Sequence, residues 1–332
     1  MAWRSAAEQS HWDLILSGEL CRKALDLGGG FHCAPMAMLP LNLYLRGRMD
    51  EAVVRGHEMA EMCRTRDDTL AASFGLPHLG MALAANGRFA EAMRAFDEAA
   101  RIGIKHEIWP FHARSISMSA GFHLDVFDFQ GNEELAEEAR ERGRSAPFMP
   151  AVVSAGIDLI LNFARRHDVA RAEACIRETA ADAVSVGGWH EWLWDLRLCL
   201  ARAEVALAKE QWEEAARLAE IAVMKGRQRA RAKYEVSALE VRARALAAAG
   251  RQHDGIALLR HALELVRPMG VPVLLVRVAS ALVSLDGDDA LLAEARATAE
   301  KLYSALPTEP MRRRFLDASC VHALGPIRAA GV

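Results

Sequence analysis

Six cysteines lie at positions 21, 33, 63, 175, 199 and 320, and no two form a C-x-x-C pair. A zinc or disulfide framework needs tighter spacing, so they read as small apolar core residues in a reducing compartment. Charge of one sign is also missing: Lys+Arg 41 against Asp+Glu 44 leaves a net charge of -3. No general basic surface follows, and wrapping of a nucleic-acid backbone is not expected. The longest apolar stretch, around Ala34 to Leu45, is interrupted by Pro35, Pro40 and Asn42 and is too short to span a bilayer. Met1 to Gln9 include Arg4 and Glu8 and lead into no run of signal-peptide length, so a soluble cytoplasmic chain is expected. There is no G-x-x-x-x-G-K phosphate loop and no G-x-G-x-x-G turn, and Gly28-Gly29-Gly30 reads as a loop.

What is present is a helix-forming composition with enough apolar material for a core: 52% hydrophobic and 26% charged, rich in Ala, Leu, Arg and Glu. It is organised as a repeat. The segments Gly47–Ala52, Gly87–Ala92, Gly131–Ala136, His167–Ala172, Glu210–Ala215 and Gly250–Gly255 each join two apolar helical stretches. Their last positions, 52, 92, 136, 172, 215 and 255, are spaced by 40, 44, 36, 43 and 40. A near-constant period in this range indicates an array of helical hairpins. Glycine ends the first helix, and the small residue lets the second approach closely.

The second unit carries Leu76, Leu79-Gly80, Leu83, Gly87, Ala92, Phe96 and Ala99. This resembles the tetratricopeptide (TPR) pattern, with Leu83 where Tyr is common and no closing Pro. The third unit places Arg140 where Phe is expected. The sixth has Gly255 for Ala but keeps Leu239, Leu246, Leu259, Ala262, Leu263 and Pro268. The period exceeds the usual 34, so helices or turns are longer than standard. Trp189–Leu198, Ala201–Ala208, Lys233–Leu246, Leu285–Ala290 and Met311–Leu316 are similar to the carboxy-terminal TPR region of large bacterial adenylate/guanylate cyclase and AAA-ATPase signalling proteins. The chain has the repeats and no visible cyclase or ATPase domain.

The expectation is an all-α, right-handed α-α superhelical solenoid of about six to seven hairpins and thirteen or fourteen helices. Units are expected near 1–30, 31–66, 70–104, 110–143, 148–184, 189–226, 231–268 and 271–306, with a cap at 308–324 and a loose tail at 325–332. The first is a partial unit centred on Trp12 and Ala24, as the cut end of a longer polypeptide would leave.

Catalytic motifs fail on inspection. His190-Glu191 and His106-Glu107 lack the second His of H-E-x-x-H, with Trp194 and Pro110 in its place. His112 and His123 would be about 16 Å apart on one helix, too far to share a metal. Asp286-Gly287-Asp288-Asp289 lacks the spacing of a calcium loop and reads as a turn and N-cap. No enzyme, cofactor or metal is expected, with His106, Glu107, His112 and His190 the residues that an unrecognised enzyme would use. The basic run Lys225, Arg227, Arg229, Arg231, Lys233 reads as a solvated turn or as an anion or acidic-peptide contact.

In TPR arrays the first helices line the concave surface. The resemblance therefore turns Asp125, Asp128, Arg197, Glu204, Glu240 and Arg244 inward, and these residues either line a groove for a peptide or partner helix or satisfy one another as ion pairs. Trp189, His190, Trp192 and Tyr234 complete the candidate partner-binding set, the tryptophans serving for inter-repeat packing or as aromatic anchors. The implied function is a protein-interaction scaffold or regulatory module, its partner a protein or peptide such as a catalytic or ATPase signalling domain, with no nucleic acid or membrane. The alternative is a small-molecule-sensing regulatory domain.

Overall fold

The computed structural model describes residues 14–26, 33–186 and 191–327. Trp189, His190, Trp12 and Gly28–Gly30 lie outside them. Among the described residues all regular structure is helical. A leading helix, α1 (Leu14–Asp26), precedes seven hairpins. They are α2 (Cys33–Leu45) with α3 (Met49–Thr65), α4 (Thr69–Ala85) with α5 (Phe89–Lys105), α6 (Trp109–Asp125) with α7 (Phe129–Ser145), and α8 (Met149–Arg165) with α9 (Val169–Val186). Then come α10 (Glu191–Ala208) with α11 (Trp212–Gln228), α12 (Ala232–Ala248) with α13 (Gln252–Val266), and α14 (Pro272–Asp286) with α15 (Asp289–Ala305). Two short helices, α16 (Glu309–Asp317) and α17 (Ser319–His322), form a cap. The chain is an all-α solenoid.

The period follows from the local geometry. From α3 to α8 each helix has 17 residues, and three-residue turns separate them, so two helices with their turns make a unit of 40. Each turn closes alike. The residue before the next helix donates its N–H to a carbonyl five positions back, as in Arg48 to Leu43, Asp68 to Cys63, Arg88 to Leu83 and Asp128 to His123. The residue ahead of it takes positive φ: Gly47, Gly87 and Gly250, but also Asp67, Glu107, Phe127, His167, Glu210 and Ala230. This Schellman-type closure satisfies the last carbonyls whether or not glycine is present.

The third unit differs from the sequence expectation. Its turn residue is Phe127, at φ 62°, and Gly131 lies inside α7. The position matching Ala52 and Ala92 is therefore Asn132 rather than Ala136, and the position matching Phe96 is Ala136 rather than Arg140. Glycine at 131 mimicked a helix terminator, while the true αL residue is a buried aromatic. Asn132 is fully buried; its Nδ2 donates to Ala120 O at 2.8 Å and its Oδ1 accepts from Asn162 Nδ2 at 2.7 Å.

Even-numbered helices α2 to α14 form an inner layer in which successive members touch. Odd-numbered helices cover them, each docked through small residues such as the fully buried Ala52, Ala92, Ala172 and Ala215. The solenoid then returns onto itself. A Cβ on Gly47 would lie 3.0 Å from Ala232 Cβ, and one on Gly87 3.4 Å from Pro272 Cγ. Phe127 packs on Phe315 of the cap at 5.9 Å. First hairpin meets sixth, second meets seventh, third meets the cap, so five hairpins make one superhelical turn and the next stacks edge-on upon it.

Restoring the repeat's alanine at Asn132 should weaken the protein. Asn132→Ala removes the side-chain donor to the Ala120 carbonyl and the acceptor of one Asn162 amide hydrogen bond, leaving Asn162 only its bond to Phe129 O, at a cost of about 1–3 kcal/mol, read from urea denaturation midpoints.

Candidate functional site

Five helices in a closed ring at spacings of about 9–10 Å place their axes roughly 8 Å from the centre, and helices with side chains are about 10–12 Å across. Inward side chains therefore meet at the axis, and the inner helices put polar residues there. On α8, Ser154, Asp158 and Arg165 follow helical spacing; on α10, Arg197 and Glu204; on α12, Lys233, Ser237, Glu240 and Arg244.

These side chains pair with one another. Arg197 donates to Asp158 and to Ser154 Oγ, both at 2.6 Å. Lys233 donates to Asp125 and, at 3.2 Å, to Tyr44 Oη, joining hairpins 108 and 189 residues apart. Deeper along the axis Glu204 accepts from Arg165 at 3.3 Å, Glu240 accepts from Arg244 at 3.2 Å and from Arg277, and Arg277 lies 3.6 Å from Glu204. Glu204 and Glu240 are 4% and 3% exposed. At the cap Asp128 caps α7 through Gly131 N, accepts from Arg314, and faces His123 Nδ1 at 2.7 Å.

The electrostatics follow. Burial pushes the Asp158 carboxyl up to about 6, only partly offset by Arg197. Burial also opposes the charge of Glu240, but Arg277, Arg244 and Arg165 together hold its carboxyl below the ordinary range. Burial lowers Lys233 and the Asp125 carboxylate more than reverses that. Burial draws Arg231 down to about 10; its guanidinium sits 4.7 Å from the Tyr234 ring and 5.7 Å from Trp192.

The expected site residues are thus gathered where the repeat placed them. Asp125, Arg197, Glu204, Tyr234, Glu240 and Arg244 are on the axis, Asp128 is at the seam with the cap, and Trp192 is buried behind Arg231. They close the axis through ion pairs, so the groove they line is filled by their own side chains. Only part of the basic run behaves as a solvated turn. Lys225 pairs with Asp195 and Arg227 with Glu235 outside, whereas Arg231 and Lys233 turn into the core. Sequence reasoning missed Tyr44, Asp158, Arg165 and Arg277; the signal for Asp158 and Arg165 was a polar stripe on the otherwise apolar α8. His106 is exposed at a turn, His112 is buried, and Asp288 caps α15 through Leu291 N at 3.0 Å. Among the described residues no group of three His, Cys, Asp or Glu is placed to hold a metal, and no helix is long and apolar enough to cross a membrane.

Two outcomes follow. Glu240→Gln should cost about 3–5 kcal/mol, because it removes the buried charge that offsets the largely enclosed Arg277 and Arg165; combining Glu240→Met with Arg277→Met should cost less than the sum of the single changes, in a double-mutant cycle by urea denaturation. The raised pKa of Asp158 means the native state holds this proton more tightly than the unfolded chain, whose value is near 3.8. Its contribution therefore raises stability as pH falls from about 6 towards 4, and Asp158→Asn should remove that rise from the difference between the two pH–Tm profiles.

No family model matches the chain, and no curated protein matches it. Among solved structures, yeast Tom70 aligns over 93% of this chain and 58% of that chain, at 12% identity and a TM-score of 0.44, so this chain spans well under two thirds of that protein and the likeness carries no functional argument.

Proposed function

We propose that the chain is a non-catalytic interaction module that receives a protein or peptide partner along the free edge of its first superhelical turn. One edge of that turn, with Gly47, Gly87 and Phe127, is covered by the second turn and the cap. The opposite edge is formed by the ends of α3, α5, α7 and α9 and the starts of α4, α6, α8 and α10. The observation that carries the reading is the distribution of exposed apolar side chains. Leu70, Ile104, Trp109 and Val184 are 58%, 52%, 44% and 84% exposed, and each lies within a helical turn of this edge. Ile15, Val54 and Met224 are also exposed and lie away from this edge, but four large apolar side chains along one rim of a solenoid are the material of a partner contact.

The axis residues Asp125, Arg197, Glu204, Glu240 and Arg244, with Asp128 at the seam, fit this reading as the clamp that holds the rim's curvature. A peptide or partner helix enters the groove itself only where their pairs give way, so the rim is the first contact. The sequence resemblance supplies the partner class, a catalytic or ATPase signalling domain acting in a reducing, cytoplasmic compartment.

The test compares wild type with a Leu70→Ser, Trp109→Ser, Val184→Ser variant. Exposed positions of this kind change stability by no more than about 0.5 kcal/mol each, so Tm should hold within a few degrees. A partner retained from native lysate by the wild type and lost by the folded variant is the expected result. Equal retention by both removes the rim from the interaction.

A further inference from the structure

Within one superhelical turn, neighbouring inner helices pack along their lengths. Across the seam they do not: among the described residues no helix of the first three hairpins packs lengthwise on α12, α14 or the cap. The two turns meet instead through helix ends and the turns between helices. Gly47 lies against Ala232 and Met269, Gly87 against Pro272, and Phe127 against Phe315. The ionic contacts sit at the same ends. Lys233, at the start of α12, pairs with Asp125 at the end of α6, and Arg314 of the cap pairs with Asp128.

This contact is also incompletely filled. A cavity of about 20 Å³ lies between Ala84, Ala85 and Asp125 of the first turn and Lys233, Val273 and Leu274 of the second. That is room for one water, and side chains lining a void lose the dispersion contacts that a filled core gives them. The ionic contacts are within reach of solvent: 37% of the Asp125 side chain and 32% of the Arg314 side chain are exposed, so water competes for both pairs. Separation would strand no buried charge. Asp128 keeps His123 and Gly131 N when Arg314 leaves, while Asp125 and Lys233 pass into water. By contrast the hairpins themselves are closed by fully buried small residues such as Ala92, Ala172 and Ala215.

We propose that the seam is where the molecule opens: the second superhelical turn and its cap separate from the first three hairpins as one body, each hairpin keeping its fold, and the separation clears a way to the axis past Asp125 and Lys233. No hairpin has to unfold, because small sliding displacements at successive helix interfaces add up over the five hairpins of a turn. Sub-global opening takes place at the least packed contacts of a fold, at lower free energy than complete unfolding. The inference is independent of the rim contact: it concerns the opposite edge, and its test uses no partner.

Alkylation by iodoacetamide of the full chain carrying Val273→Cys, mapped by peptide mass spectrometry, tests this. Val273 is 5% exposed and faces the seam cavity. Native Cys63 and Cys175, 2% and 5% exposed on α3 and α9, answer only to opening of the hairpins themselves. Each rate is divided by the rate of the same thiol in urea, which removes differences in intrinsic reactivity. Val273→Cys should then react at least about tenfold faster than Cys63 and Cys175. Adding Asp125→Asn should quicken it further while Cys63 and Cys175 stay unchanged. Asp125 belongs to the first turn, so fraying of α14 alone would not respond to it. Met269→Cys, at a position packed on Gly47 across the same seam, replaces Val273→Cys if that variant does not fold. A seam thiol less than about tenfold faster than the hairpin thiols, no response to Asp125→Asn, or an equal rise at every thiol would each overturn the proposal.

Discussion

Lys233 reaches across 108 residues of chain to Asp125, and Arg314 across 186 to Asp128. These contacts, with Gly47 against Ala232 and Phe127 against Phe315, seat one superhelical turn on the one before. Most repeat contacts are between neighbours, and a solenoid built from them alone has stability close to a sum over units. Here the seam adds long-range terms, so the first three hairpins and the last units are thermodynamically tied. The tight ring that makes the seam possible also brings the inner helices to a common axis, and the ionic interior follows from that closure.

The ring inverts the usual amphipathic helix. An inner helix has neighbours on both sides and an outer helix behind, so its apolar residues occupy the flanks and back, while the narrow inward stripe is polar or small. Ala85, Asp125, Lys233 and Ser237 belong to that stripe. Burying so many charges is costly unless each is paired and hydrogen-bonded, and the network largely meets that condition: Glu240 serves two arginines and Glu204 lies among three.

The helical-hairpin array was legible in the sequence because its signal is covalent in scale: a turn every forty residues with a small residue five positions on. Where glycine occupied the αL position, as at 47, 87 and 250, the register was read correctly. It slipped by four at the third unit because any residue can take that position when the Schellman hydrogen bonds and burial hold it there, as Phe127 shows. The inward positions Arg197, Glu204, Glu240 and Arg244 followed from the TPR resemblance, which turns the first helices of each unit inward. Their partners could not be read, because Lys233–Tyr44 and Arg277–Glu204 depend on how many hairpins complete a turn, and that number is set by small differences in helix crossing that no local pattern encodes. The same gap explains why Lys233 read as part of a solvated turn.

The five-hairpin turn has a bearing on how such a chain can change length. An open array tolerates the gain or loss of an internal unit, since each new unit presents the same face to its neighbours. In a ring whose first hairpin seats on its sixth, one unit added between the third hairpin and the sixth would carry Lys233 a fifth of a revolution past Asp125 and set Arg314 opposite a hairpin lacking Asp128. Duplication or deletion of internal repeats is therefore out of phase with the seam unless it comes in fives, and the array is free to lengthen or shorten only beyond its ends.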